Sequence, residues 1–168
     1  MNSGQMLLTL GGMFLLALLI LRMNNSFLTT SDVLLGSKSN VIAISLASSF
    51  IEEASSKAFD SKTISKGVTS LTQLSQVDSL GPELYEVRKF FNDFDDYNNF
   101  TLVDTFVVDS MILGIYNISC NVDYVLPSAP DVAVSTPTWN KRLRVRVYGE
   151  GLNDTIKMST IYSYWYFR

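Results

Sequence analysis

The chain has 168 residues, 47% of them hydrophobic and 17% charged, with 13 Lys and Arg against 16 Asp and Glu for a formal net charge of −3. That length accommodates one domain plus a helix, and the acidic balance argues against nucleic-acid binding, which shows as a basic domain. With no histidine and a single cysteine, a tetrahedral Cys/His zinc site, an intramolecular disulfide and Ser–His or Cys–His nucleophile pairs are excluded.

No ionisable side chain precedes Arg22, and Met6–Leu21 reads MLLTLGGMFLLALLIL. Met6, Leu7, Leu8, Leu10, Met13, Phe14, Leu15, Leu16, Leu18, Leu19, Ile20 and Leu21 make this stretch apolar all round. It predicts a helix that lies in lipid or against other protein, since a membrane span needs roughly 20 such residues at about 1.5 Å each. Gly11 and Gly12 would let neighbouring helices approach closely, or serve simply as small packing residues. A cleaved secretory signal wants a basic start and a small-residue cleavage site, whereas Met1–Gln5 has no Lys or Arg and no A-x-A follows Leu21.

The helical pattern continues after Arg22. Met23–Lys57 contains no Pro, and Gly36 is its one Gly. Ile44, Ala47, Ile51, Ala54 and Ala58 recur at spacings of three and four, which predicts an amphipathic face. One helix is expected from about Asn2 to about Phe59, roughly 80–90 Å long at about 1.5 Å per residue. The alternative is a break near Asn24–Asn25 or Gly36, with Asn24–Ser26 or Asp32 capping a second helix.

Asp60–Ser79 is rich in Ser, Thr, Lys and Gln and reads as a surface connection, interrupted at Gly67 and stopped at Gly81–Pro82. Pro82 suits the first turn of a helix, and Leu84, Val87, Phe90 and Phe91 predict a short amphipathic one over Glu83–Asp93. Asn92–Asn99 (NDFDDYNN) reads as a solvated acidic turn. Its Asp93, Asp95 and Asp96 are spaced as oxygen ligands of a calcium ion can be, but the glycine and terminal Glu of an EF-hand loop are missing. Thr101–Leu113 predicts a strand ending at Gly114. Tyr116, Ile118, Cys120, Val122 and Tyr124 then alternate with polar residues, the period of a half-buried antiparallel strand, with Cys120 a buried small hydrophobe. Pro127–Pro137 predicts a loop. Leu143, Val145 and Val147 alternate with Arg142, Arg144 and Arg146 in a further strand, Gly149–Asp154 turns it, and Thr155–Phe167 returns as an aromatic strand. The expected fold class is α+β: a long N-terminal helix over 1–59, a polar connection with a short helix over 60–100, and an antiparallel sheet head of three or four strands over 101–168, closed on one face by the helix.

Charge is unevenly spread. Residues 78–131 carry ten acids against two bases, and residues 141–168 carry six bases against two acids. The Arg142, Arg144 and Arg146 stripe could dock on the acidic region around Asp93, Asp95 and Asp96 of another copy, a heterologous contact that builds a filament. Alternatively the two regions face each other within one subunit. The run Tyr162, Tyr164, Trp165, Tyr166, Phe167 is expected to complete the core and an interface. Asn24, Asn99, Asn117 and Asn153 begin N-x-S/T sequons, which accept glycans only where that machinery exists.

The stretch GQMLLTLGGMFLLALLILRMNNS (residues 4–26), the long helix and the β-rich C-terminal part together resemble type IV pilins and the related pseudopilins. The resemblance implies prepilin-peptidase cleavage between Gly4 and Gln5. It also implies insertion in an inner membrane through Met6–Leu21, and later polymerisation into a helical homopolymer with those helices in its core. The partners implied are the chain itself and a pilus or secretion assembly machinery, with no enzymatic activity or cofactor and, in some members, calcium bound in the head, and the final location is an extracellular filament at the cell surface. The chain departs from the family in lacking Lys or Arg in MNSG. Where the family carries a Glu at the fifth mature position, it has Thr9 after cleavage or Gln5 without it. A minor pseudopilin of a secretion system and a single-span anchored extracytoplasmic binding module are the alternative readings.

Overall fold

The computed structural model describes residues 2–108 and 111–164. Helix α1 runs without interruption over Ser3–Ser55. Asn24–Asn25 and Gly36 do not break it. Within it the hydroxyls of Thr29 and Thr30 donate to the carbonyls of Asn25 and Ser26 at 2.7 and 2.8 Å, a back-bond that a threonine makes without leaving the helix.

The helix stops short of the expected Phe59 because the next residues are needed elsewhere. The Ala58 amide donates to the Asn92 carbonyl and its own carbonyl accepts from the Phe94 amide. The Phe59 carbonyl and the Asp60 carboxylate are both held by Lys141. Met1–Lys38 and Ser39–Arg168 form two compact units. No described residue before Ser39 is buried, whereas the second unit, the head, contains the remaining part of α1 and a full core.

The head is built on a five-stranded antiparallel sheet: β1 Thr101–Val108, β2 Met111–Leu126, β3 Ala129–Ala133, β4 Asn140–Gly149 and β5 Ile156–Ser163. The order is β1-β2-β4-β5, with β3 paired to β2. This is one strand more than the upper expectation, because the proline-rich segment contributes β3. Pro130 is tolerated there since β3 pairs on one side only. The apolar run expected to be one strand up to Leu113 is divided between β1 and β2, and Gly114 lies inside β2 opposite Phe106, next to a register shift. The division falls at Asp109–Ser110, a polar pair that the β-branched and apolar residues on either side of it hid.

Alternation placed the core correctly. Tyr116, Ile118, Cys120, Val122 and Tyr124 are all buried, as are Leu143, Val145 and Val147 on the neighbouring strand. Leu143, Val145 and Val147 stand opposite Val122, Cys120 and Ile118. Against them pack Ala43, Ala47, Phe50 and Ala54 of α1. The packed helix face is therefore centred on Ala43 rather than Ile44, which is 46% exposed. Three alanines permit close approach to the sheet, and Phe50 fills the remaining space. At Gly149 a Cβ would land on the Ile115 carbonyl oxygen, so a side chain there would push β4 off β2.

Residues 60–100 form no α-helix. They carry five short 3-10 turns, at Ser61–Thr63, Leu71–Gln73, Val77–Ser79, Arg88–Phe90 and Asp95–Tyr97. Far from being only a surface connection, this segment buries Val68, Leu74 and Leu80 with Phe59 and Tyr124 in a second core, against which Tyr162 and Tyr164 pack. Trp165, Tyr166 and Phe167 lie outside the described residues. The short helix expected over Glu83–Asp93 fails because Tyr85 adopts φ 66°, a left-handed backbone that ends any right-handed turn. Its apolar stripe is split: Phe91 is buried, while Leu84, Tyr85, Val87 and Phe90 are exposed.

Candidate functional site

Two features of the chain have functional character. The first is the apolar part of α1. Leu7, Leu8, Met13 and Phe14 are each at least 65% exposed, and α1 is long and apolar enough to cross a membrane. A Cβ added at Gly11 or Gly12 would meet nothing within 4 Å. Exposed apolar residues continue beyond the Leu21 boundary drawn from the sequence: Phe27, Leu28, Val33, Leu34 and Leu35 all exceed 55% exposure. Their signal was present as isolated apolar pairs and triplets between Arg22, Asp32 and Lys38, and the charges masked it.

The second is an ionic cluster inside the head. Lys141 of β4 is fully buried. Its Nζ donates to the Phe59 carbonyl and to Asp60 Oδ2, both at 2.9 Å, and to Asp95 Oδ1. It also sits 4.8 Å from the Phe59 ring centroid and 5.2 Å from that of Tyr124. Asp60 accepts further from the amides of Lys62 and Ser75 and the Ser75 hydroxyl, each at 3.0 Å, and from the Tyr124 hydroxyl at 3.3 Å. One lysine thus ties the end of α1, the 60–75 segment, the Asp95 turn and the sheet together.

Asp93, Asp95 and Asp96 are therefore not a solvated turn; all three are buried. Asp93 Oδ1 accepts from the amides of Asp95 and Asp96 at 2.9 and 3.2 Å. Asp96 Oδ2 accepts from those of Asn92 and Asp93 at 2.8 and 3.0 Å. The arginine stripe is likewise spent inside the head. Arg142 and Arg144 both reach Asp123 Oδ2, Arg142 also donates to the Pro130 carbonyl at 3.0 Å, and only Arg146 of the three is exposed. The acidic and basic regions meet within one subunit, through Lys141 with Asp95 and through Arg142 and Arg144 with Asp123. They do not bring Asp93, Asp95 and Asp96 to the arginines. Lys141 and Asp60 went unnoticed as cluster members, yet Lys141 shares the strand parity of Leu143, Val145 and Val147. A charge on the apolar face was the available signal.

Electrostatics follow from this burial. Desolvation alone would raise Asp60, but Lys141 and the surrounding donors hold it below the usual carboxylate range. Asp93 is pushed up to about 9, by burial first and then by the charge and hydrogen bond of Asp95, which makes it a neutral acid at pH 7. Burial lifts Asp95 as well, against the opposing pull of Lys141. Burial raises the Cys120 thiol to about 12, so it is an inert core group rather than a nucleophile.

The Asp93 shift has a measurable consequence. Its folded value lies above the unfolded one, so the folded chain keeps a proton that the unfolded chain has lost, and stability falls as pH rises from about 4 to about 9, by at most about 1.4 kcal/mol per pH unit. Asn at position 93 can accept the same amide bonds and donate to Asp95 as the neutral acid does. Asp93→Asn is expected to flatten the decline between about pH 5 and pH 8 and to exceed the parent in stability at the alkaline end. Urea midpoints across that range check it, and parallel slopes for the two proteins would show that Asp93 is ionised in the head.

Oxygen ligands converge elsewhere than at the three aspartates picked out from the sequence. One carboxylate oxygen each from Glu83, Glu86 and Asp96 lie within 4.8 Å of one another, and Glu86 is raised to about 7 by burial and by its contact with Glu83. No protein-family model, curated protein or solved structure matches this chain.

Proposed function

We propose that this protein is a non-enzymatic, pilin-like structural subunit. It inserts in the membrane through Met6–Leu21 and then polymerises, exchanging lipid for the same segment of neighbouring copies in the core of an extracellular helical filament. The observation that carries this reading is a helix whose first 19 residues bear no charge and whose large apolar side chains are unburied around the full circumference. Such a surface cannot stay in water, since leaving each Leu-sized side chain exposed costs about 1.5–3 kcal/mol relative to burial. A bilayer accommodates it in the single chain, and sister helices do so in a polymer, where Gly11 and Gly12 allow close approach. The head supports a structural role: its thiol is inert, and most of its inward-facing charges are held in ion pairs.

The test is cysteine cross-linking in cells. Leu8→Cys and Met13→Cys place a reactive thiol in the apolar segment, and the buried Cys120 does not interfere. Oxidation is expected to give cross-linked dimers in the fraction sheared from the cell surface, and mass spectrometry of that fraction reads whether Met1–Gly4 has been removed. A chain found solely in the membrane fraction, uncross-linked, would replace the filament reading with that of a solitary anchor.

A further inference from the structure

The sheet of the head is open, with β1 and β5 as the two ends of its strand order. Neither strand carries the prolines or repeated charges that usually blunt an edge. β1 (TLVDTFVV) and β5 (IKMSTIYS) contain no proline and one charged residue each, Asp104 and Lys157. Val103 and Val107 of β1 and Ile161 of β5 are exposed.

Backbone parity shows which groups each edge leaves open. The Cys120 amide donates to the Phe100 carbonyl at 2.8 Å, and β1 continues in register from Thr101 opposite Ser119. In an antiparallel ladder alternate residues bond the neighbouring strand. Even-numbered residues of β1 therefore bond β2, and Thr101, Val103 and Thr105 turn their amides and carbonyls outward. At the other edge the Tyr164 amide donates to the Trp139 carbonyl at 2.9 Å, with Ser163 opposite Asn140. By the same alternation Lys157, Ser159, Ile161 and Ser163 are the outward-bonding residues of β5. On both strands these odd-numbered residues lie on the face away from α1, since Leu102, Met158 and Tyr162 pack on the core.

We propose that β1 of one chain docks antiparallel on β5 of a second copy and joins the two sheets into one. Successive antiparallel pairings make β5 run opposite to β1, so a second copy placed the same way up presents its β5 in the required direction. Each strand has eight residues, and full overlap sets odd against odd, so the open groups meet and the helix sides of both sheets coincide. Val103 then faces Ile161, Thr101 faces Ser163 and Thr105 faces Ser159. Asp104 faces Thr160, whose hydroxyl can donate to the carboxylate. Apolar meets apolar and hydroxyl meets hydroxyl, the cross-strand pairs that stabilise sheets. The lone acid of one edge and the lone base of the other bring the joined strands to neutrality. Like edges fit worse: full overlap of β1 on β1, or of β5 on β5, sets odd residues against even ones and doubles one sign of charge. The β1–β5 contact is heterologous, so further copies can extend it.

This contact uses the head alone, and it and the pairing through Met6–Leu21 can each fail without the other. The test is disulfide trapping between full chains in detergent, oxidised with diamide at rising chain concentration. Thr105→Cys chains mixed with Ser159→Cys chains are expected to give cross-linked dimers, and either variant alone is not. Thr105→Cys mixed with Thr160→Cys, whose thiol lies on the other face, is expected to give none. Val103→Pro, added to the Thr105→Cys chain, removes an outward amide that β2 does not use. It is expected to lower the dimer yield about fivefold or more while leaving the unfolding of the head near the parent's temperature. No dimers from the Thr105→Cys and Ser159→Cys mixture overturns the contact. Dimers from Thr105→Cys alone overturn the heterologous arrangement, equal trapping by Thr160→Cys overturns the register, and an unchanged yield with Val103→Pro overturns pairing through the backbone.

Discussion

Leu15→Asp is expected to abolish filament formation while leaving the unfolding of the head unchanged. Leu15 lies in the uncharged segment and is 63% exposed, so nothing in the head depends on it. A carboxylate near the middle of a membrane helix costs about 2.5–3.5 kcal/mol on insertion scales, which weakens membrane insertion without forbidding it. In a polymer the penalty is harsher. Every subunit would bring an unpaired charge into the shared core, at several kcal/mol each, with no headgroup or water within reach. Membrane fractionation should show a modest loss, and electron microscopy of the sheared fraction should show no filaments. Leu15→Met, which preserves volume and polarity, should retain both properties. Filaments at the parent's yield from Leu15→Asp would place this residue outside the core and remove the main support for assembly through Met6–Leu21.

The other large effect is expected at Lys141. Lys141→Met keeps an unbranched apolar stem of similar size but removes the cation that faces Asp60 and Asp95. Breaking a buried pair from one side costs about 3–5 kcal/mol, because the remaining charge is left uncompensated. Here one lysine serves two carboxylates, so the upper part of that range is expected. Urea denaturation of the full chain in detergent measures it. The triple variant Lys141→Met/Asp60→Asn/Asp95→Asn should recover much of the loss, since neutralising the whole group removes the orphaned charge. A single variant as stable as the parent would mean that Asp60 and Asp95 take up protons without cost, and that the cluster does not hold the segments together.

These two experiments address parts of the molecule that differ in how openly the sequence displays them. The apolar segment announces itself: a run with no ionisable group before Arg22 has few physical options. The strands of the sheet are nearly as plain, because alternation over Tyr116–Tyr124 and over Leu143–Val147 is a property of neighbouring residues. So is the continuity of α1, where neither Pro nor a cluster of glycines interrupts. From such local patterns the α+β class, the antiparallel sheet and the buried Cys120 can all be read.

The remaining features depend on residues distant in the chain. Ile44 and Ala43 are equally compatible with an apolar helix face; the alanine faces the sheet because small side chains let the helix come close. Glu83–Asp93 has the apolar spacing of a helix, yet Arg88 pairs with Glu53 of α1 and Tyr85 turns the backbone left-handed. NDFDDYNN looks water-loving by composition, and no window of sequence around it contains the lysine that makes its burial tolerable. That lysine comes from another strand and also holds the residue just beyond α1. Periodicity reports which side of an element is apolar, so it travels with the chain itself. Whether a charge can be buried depends on the partner that tertiary folding brings to it, and so the apolar helix was legible in advance while the ionic cluster was not.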